Sequence, residues 1–502
     1  MMSLRAVGGA LSAVLLLAAG ALTFMAAEGV EPPTAAPVAL GTVHNVPAGV
    51  TRIACAPTPL IAEGAVAYDP EFNPVPATSS ATLVAASVPR GDDGAGPAAI
   101  ATSPAGEPTA LWGTAALVGS ADPGAEAAVV VAEPLEGVAP LAAAAGIWRS
   151  DAGDLRSLTA LPCSVALAEQ WLVGGATEVG SSAALTITNP GATPVTVTVS
   201  GWGPLGPVDL PMLSGLVIAP YASETYLLEA SDSTLERLAL RVQSAGGAVG
   251  ASLLETRLDG LTPLGTATVA PSAPPGTALV VPAVSLTDVP EDAGESGLQS
   301  FVRVLNPGTA PATLTLTLLT AEGEVGIAGA TDVTVDPGAV FDIAIDGLPA
   351  GDHSVAVVSD QPVVAAAHLV RHASDGGADR AWSGAATPSS LMTVAVPGLG
   401  AQADAATLVV ANPSAEEVAV RVTPYGADGA AGEVREVSVP ARASIGVVVE
   451  GAPVALQVES DEPVAAALLL RAGIAEGELV AILPATPDAA TAHAVTVTVR
   501  EG

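Results

Sequence analysis

Three stretches of the chain share one alternation of apolar and polar positions. Leu185-Thr186-Ile187-Thr188 alternates, turns at Asn189-Pro190-Gly191, and resumes at Val195-Thr196-Val197-Thr198-Val199. Val302-Arg303-Val304-Leu305 leads through Asn306-Pro307-Gly308 to Leu314-Thr315-Leu316-Thr317-Leu318. Leu408-Val409-Val410-Ala411 leads through Asn412-Pro413-Ser414 to Val418-Ala419-Val420-Arg421-Val422. A period of two sends one side of a strand into a core and the other toward water. Asn-Pro ends each first strand, because proline fixes φ and cannot donate to a ladder. The pattern recurs after 117 residues and again after 106. Downstream, Pro220, Pro337 and Pro440 each precede a further strand-like run. Ser359-Asp360-Gln361-Pro362 and Ser460-Asp461-Glu462-Pro463 read as turns, with Ser244-Ala245-Gly246-Gly247 as a weaker turn at the matching place.

Several alternating strands per hundred or so residues, without amphipathic helical periodicity, predict an all-β chain of tandem immunoglobulin-like β-sandwich domains. Their expected spans are 166–282, 283–397 and 398–502, with residues 494–500 as the final strand of the last. Each sandwich carries its own core, so an extended array is expected. Residues 46–165 read as a less regular β-rich domain. Strands are expected at 81–88, 111–118 and 127–131, and one helix across the alanine-rich run 140–161.

The N-terminus adds a different element. Arg5 precedes an uncharged stretch over residues 6–27. A helix needs about 20 apolar residues to cross the hydrocarbon core, so this stretch reads as a transmembrane signal anchor over residues 1–27. Ala18-Ala19-Gly20 keeps cleavage as a signal peptide open. Either way the chain beyond residue 28 lies outside the cytoplasm, since the lone arginine stays inside. The protein is then a single-pass protein of the cell membrane, or secreted if the signal is cut. Residues 28–45, with Pro32, Pro33 and Pro37, read as a stiff spacer. Two cysteines in an exported chain pair more often than not, so a Cys55–Cys163 disulfide is expected.

Composition narrows the chemistry. The 502 residues carry a net charge of −35, yet only 13% are charged. There is no lysine, and all 16 basic residues are arginine. That excludes a P-loop lysine, a Schiff-base lysine and a Ser-x-x-Lys pair. No basic patch exists for nucleic acid. Gly201-Trp202-Gly203-Pro204-Leu205-Gly206 fits G-x-G-x-x-G, but Pro204 and Pro207 oppose the helix start a dinucleotide site needs, so a β-turn is expected. His368 and His372 have the i, i+4 spacing of zinc ligands on a helix. On a strand they stand about 13 Å apart, so they read as a strand-end pair facing water. Asp92-Asp93 and Glu291-Asp292 with Glu295 lack calcium-loop spacing and read as solvated loop charges. No G-x-S-x-G elbow is present. No catalytic residue, metal ligand or cofactor is therefore expected, and no enzyme. Arg257, Arg371 and Arg471 recur at one place in the repeat. They are expected to pair with a carboxylate of their own repeat, or else to form a row of anion contacts. The five tryptophans are scattered, which offers little of the platform a saccharide stacks on.

A likeness to a family rests on particular residues. Cys55-Ala56-Pro57-Thr58-Pro59-Leu60, Cys163, Glu169-Gln170-Trp171-Leu172-Val173-Gly174-Gly175, Trp202-Gly203-Pro204 and Ala381-Trp382-Ser383 carry it. So do Leu258-Asp259-Gly260-Leu261-Thr262-Pro263. With them the chain resembles an actinobacterial family of exported, membrane-anchored cell-envelope proteins of unknown function. The likeness covers nearly all the chain beyond the N-terminal stretch, and the alanine-rich, all-arginine composition suits a high-GC genome. It implies export and brings no catalytic residue with it. The expected function is a structural scaffold or protein-interaction component of the envelope, with another envelope protein as partner. A binding module for a wall glycan or small ligand is the second reading, and an envelope hydrolase the third.

Overall fold

The computed structural model describes residues 42–45, 48–59, 78–231, 234–288, 298–489 and 494–497. The chain is all-β: among these residues the regular structure is strand, apart from short 3-10 turns. Residues 1–27, where the anchor is expected, lie outside the described set, and no described helix is long and apolar enough to cross a membrane. The chain forms two compact units. The smaller contains the antiparallel pair Thr42–Asn45 with Ala494–Val497. The run at 494–497 was expected inside the third sandwich. It pairs with an N-terminal strand instead, while Gly477–Pro484 and Thr486–Pro487 complete the sandwich sheets.

The larger unit holds four domains. The first is a single path of eight strands: Thr109–Ala110, Ala98–Ala101, Val129–Ala132, Thr51–Cys55, Ser157–Val165, Leu141–Ser150, Ser79–Val88 and Leu117–Ala121. A bridge between Trp112 and Val118 returns the path on itself, which removes the open edges of the sheet. Its interior is built of Ile53, Leu83, Ile100 and Val130 with many alanines, small enough for a narrow barrel. Two expectations fail here. The run at 140–161 is a hairpin of two strands, because Leu141–Ser150 is hydrogen-bonded on both sides and its alanines are buried on both faces. Tertiary burial overrides the helix propensity of alanine. The strand expected at 111–118 is broken between Thr109–Ala110 and Leu117–Ala121. There the chain folds back around Gly113 (φ +159°), where a Cβ would meet the Ala116 carbonyl at 2.0 Å. The disulfide is present: Cys55 and Cys163 face each other across neighbouring antiparallel strands, both buried.

The other three domains are β-sandwiches on one plan. In the first, Glu169–Val173, Ala239–Ala245 and Val195–Gly203 form one sheet, and Ala222–Leu227, Ser181–Asn189, Gly250–Asp259 and Thr262–Val269 the other. In the second and third, the two central strands fuse into Gly351–His372 and Ala455–Ile474, each serving both sheets. Asp360-Gln361-Pro362 and Asp461-Glu462-Pro463 are thus not turns. Extended proline lets the strand bend from one sheet into the other, whereas Gly246-Gly247 breaks it in the first copy. The first strands of the second and third sandwiches, Gly276–Leu286 and Ser389–Ala395, begin ahead of residues 283 and 398.

The three Asn-Pro turns are equivalent in atomic detail. Asn189, Asn306 and Asn412 are fully buried. Each Oδ1 accepts from the backbone N–H two residues on, at 2.9, 3.0 and 2.9 Å. Each Nδ2 donates to the carbonyl four residues on, at 2.8, 2.8 and 2.7 Å. It also donates to Ile218, Val335 or Val439 on a separate strand. One amide side chain ties two loops, so the residue type is dictated by the buried groups around it.

The domains do not form an extended array. First and second sandwiches share a core containing Leu253, Leu305 and Val364. Second and third share one containing Leu369, Leu469 and Ile482. The barrel shares Ile147 and Leu158 with the third sandwich's Val394 and Leu468. It also touches the first sandwich, where the Thr159 hydroxyl donates to the Thr266 carbonyl at 3.0 Å. All four meet at Asp379. Its Oδ2 accepts from Leu158 of the barrel (3.2 Å) and Val480 of the third sandwich (2.8 Å). Gly265 of the first sandwich packs so closely that a Cβ there would lie 2.9 Å from the Arg380 nitrogen.

Candidate functional site

The strand Phe301–Leu305 is central in its sheet, between Val340–Ala344 and the second half of Gly351–His372. Alternation turns Val302 and Val304 into the second sandwich's own core. Phe301 and Arg303 therefore face the first sandwich. Register then sets a row across the sheet: Phe301 opposite His368, and His368 opposite Trp382. The His368 ring stacks on Phe301 with centroids 4.7 Å apart and lies 4.8 Å from Trp382. Arg303 is opposite Asp342 and makes a bidentate pair with it at 2.8 and 2.9 Å. The Arg303 guanidinium also donates to the carbonyl of Gly175 in the first sandwich at 2.7 Å.

Glu255, on the strand Gly250–Asp259, comes from the opposite wall. One oxygen accepts from Arg380 Nη1 at 3.1 Å and the other from Trp382 Nε1 at 2.9 Å. Burial pushes this carboxyl up, but Arg380, His368 and the Trp382 hydrogen bond more than reverse that and hold it down at about 2. Burial, with the Arg380 charge, drives His368 down to about 3, so its ring is neutral. Asp379 behaves in the opposite way. Its burial outweighs the backbone N–H groups it receives and raises it to about 7.

Above this floor lies a cleft of about 340 Å³ between the two sandwiches. Glu178 and Arg257, paired at 2.8 Å, stand on its first-sandwich wall, and Arg237 pairs with Asp342 at 3.3 Å. The site combines paired charges, two aromatic rings and a neutral imidazole. No nucleophile sits against a base in it, and no group of metal-ligating side chains forms among the described residues. A second opening, about 580 Å³, lies in the third sandwich between the edge strands Arg435–Val439 and Ala443–Val448. Leu408, Val422 and Leu456 line it together with the charged residues Glu433, Arg435 and Glu450.

The residues singled out in the sequence fall in several places. Arg257 pairs within its own repeat, as expected. Arg371 does not: buried, it reaches Glu478 of the third sandwich at 3.1 Å and the Ser285 hydroxyl at 2.6 Å. Arg471 pairs with Glu478 of its own repeat at 3.7 Å, as expected, and also bonds Asp352 of the second sandwich. These two arginines cross a domain boundary, so they form no row along the array. His368 is buried, not water-facing, because the neighbouring sandwich covers its face. Gly201 to Gly206 form a hairpin, with Gly203 opposite Gly206. Arg303, Glu255, Arg380 and Asp379 went unremarked in the sequence. A signal existed: three residues before the turn asparagine stand Thr186, Arg303 and Val409. Two before the recurrent arginine stand Glu255, Leu369 and Leu469. A charge where the sister repeats carry an uncharged residue marks a contact peculiar to one copy.

Residues 118–450 match the model of a family of unknown function, DUF5719. The chain belongs to that family. The DUF5719 match spans the cleft and its whole floor, but not Cys55, Arg471 or Glu478. No curated protein matches the chain. Among solved structures, Thermotoga maritima 1070 is 16% identical with a TM-score of 0.18, covering 20% of this chain and 96% of that one. The BSP domain of a biofilm associated protein is 11% identical with a TM-score of 0.14, covering 92% and 100%. The pilus backbone RrgB of Streptococcus pneumoniae is 9% identical with a TM-score of 0.09, covering 49% and 82%. Scores this low establish no shared topology.

Proposed function

We propose that the protein is a non-catalytic structural scaffold of an actinobacterial cell envelope, held outside the cytoplasm and docking another envelope protein. The observation that carries this reading is the way four domains are locked together. Apolar cores run across the domain boundaries, and the buried arginines Arg303, Arg371 and Arg380 each bond a neighbouring domain. Such a body suits transmitting or resisting load, since no domain can turn without exposing a core. The Cys55–Cys163 bond supports an oxidising compartment, and the lysine-free, alanine-rich composition supports the source. The uncharged stretch at residues 6–27 supports a membrane attachment.

Two measurements test it. Protease added to intact protoplasts should digest the chain; full protection overturns the location. A membrane-impermeant cross-linker on intact cells should join the chain to one other envelope protein in fixed ratio. A chain that stays uncross-linked overturns the scaffold.

A further inference from the structure

We propose that the cleft between the first and second sandwiches binds a neutral polyhydroxylated ligand, one or two sugar rings in size. This goes beyond the scaffold reading and stands on the cleft alone. His368 lies on its floor, only 3% exposed. Its Nδ1 is 3.0 Å from the Gln299 carbonyl, which can only accept, so Nδ1 carries the proton. Nε2 is then a bare lone pair, and it has no hydrogen-bond partner in the protein. Arg380, also on the floor, has a buried Nε–H without an acceptor. Buried polar groups in folded proteins are nearly always satisfied. Each is a partner that a ligand hydroxyl can supply, because a hydroxyl can donate to one such group and accept from another.

The walls decide the ligand's charge. Four guanidinium groups, Arg237, Arg257, Arg303 and Arg380, face four carboxylates, Glu178, Glu236, Glu255 and Asp342. Each of the four arginines is already in an ion pair. An anion would have to displace a carboxylate, and a cation would have to displace a guanidinium from Glu178, Glu255 or Asp342, or else sit at Glu236, outside these pairs, against four guanidinium groups. A neutral ligand displaces neither. Paired guanidinium and carboxylate groups present N–H and oxygen side by side, matching neighbouring hydroxyls on a ring. Half-buried Phe301 supplies an apolar patch for the ring's C–H face. The volume of about 340 Å³ is at the small end of ligand pockets, roughly 300–1,000 Å³.

The test is calorimetric titration of the full chain with methyl glucoside, methyl mannoside, methyl galactoside and maltose. Sulfate and tetramethylammonium are the charged controls. At least one neutral saccharide should bind saturably. His368→Phe should weaken it at least about tenfold, which is about 1.4 kcal/mol. Because His368 is buried, a second variant is needed that leaves the floor intact. Ala344→Trp, at an exposed position on the rim, should abolish binding without lowering the melting temperature. The proposal is overturned if no saccharide binds at about millimolar concentration. It is equally overturned if Ala344→Trp binds as well as the parent, or if only sulfate or tetramethylammonium binds.

Discussion

The junction of the first and second sandwiches and the junction of the second and third are built from related repeats, each around a shared apolar core, and differ in how the charged groups beside that core are arranged. At the first, Glu255, Arg303 and Arg380 are buried and paired, and a cleft opens beside them. At the second, Leu369, Val409 and Leu469 close on one another, and the charged groups Arg371, Arg471, Asp352 and Glu478 cluster together. Apolar surfaces pack without demanding direction, so they fill the space between domains. Buried charges must each find a partner at a set distance, which fixes orientation and leaves gaps that side chains do not fill. A repeat can thus be copied for its core while its outer faces diverge into a closed joint or an open one.

The largest expected effect breaks the polar junction. Glu255→Ala strands the Arg380 guanidinium and Trp382 Nε1, and should cost about 3–5 kcal/mol in urea unfolding. The double change Glu255→Leu with Arg380→Met should recover that loss, because it turns the polar junction toward the apolar type. If the double variant is no better than the single, the ion pair is not what sets the cost. At the apolar junction, Leu469→Ala should cost about 2–5 kcal/mol through the cavity it leaves. A loss below about 1 kcal/mol would show that the second and third sandwiches do not rely on this contact.

The next test is pH. Asp379 is raised from 3.8 to about 7, chiefly by burial, so its contribution is full below the unfolded value and is lost as pH rises through about 7. His368 is lowered from 6.5 to about 3, again chiefly by burial, so its contribution is full above 6.5 and is lost as pH falls through about 3. Between about pH 4 and 6.5 the folded state gains one proton at Asp379 and forgoes one at His368, and the two slopes oppose each other. Relative to the parent, Asp379→Asn should make stability climb with pH across this window. His368→Phe should make it fall. Curves parallel to the parent for both variants would remove these groups from the account. The neighbouring charges are Arg156, held above its ordinary value by its hydrogen-bonded pair with Asp375, and Arg380, paired with Glu255.

The smallest effect lies at the surface of the second junction. Arg442 of the third sandwich reaches Glu324 of the second at 3.1 Å, but the arginine side chain is 60% exposed. Arg442→Ala should change stability by about 0–1 kcal/mol and less in high salt. A loss as large as that of Leu469→Ala would mean the apolar contact is not what closes this joint.

Local chemistry was legible in the sequence. The alternation around Asn189, Asn306 and Asn412 shows strands and turns because neighbouring residues alone set the period, and the buried amide pin follows within four residues of each turn. The cysteine pair was legible for a similar reason, since the chain offers one possible partner for each. Three features were decided only by the tertiary structure: the hairpin at 140–161, the pairing of 494–497 with 42–45, and the meeting of Glu255 with Arg380. The hairpin depends on strands that flank it on both sides, and the terminal pair on a segment from the far end of the chain. Glu255 and Arg380 lie 125 residues apart and touch only because their domains dock face to face. Periodicity reports which side of a strand is covered; it carries no information about which other domain covers it, and that is where the cleft was made.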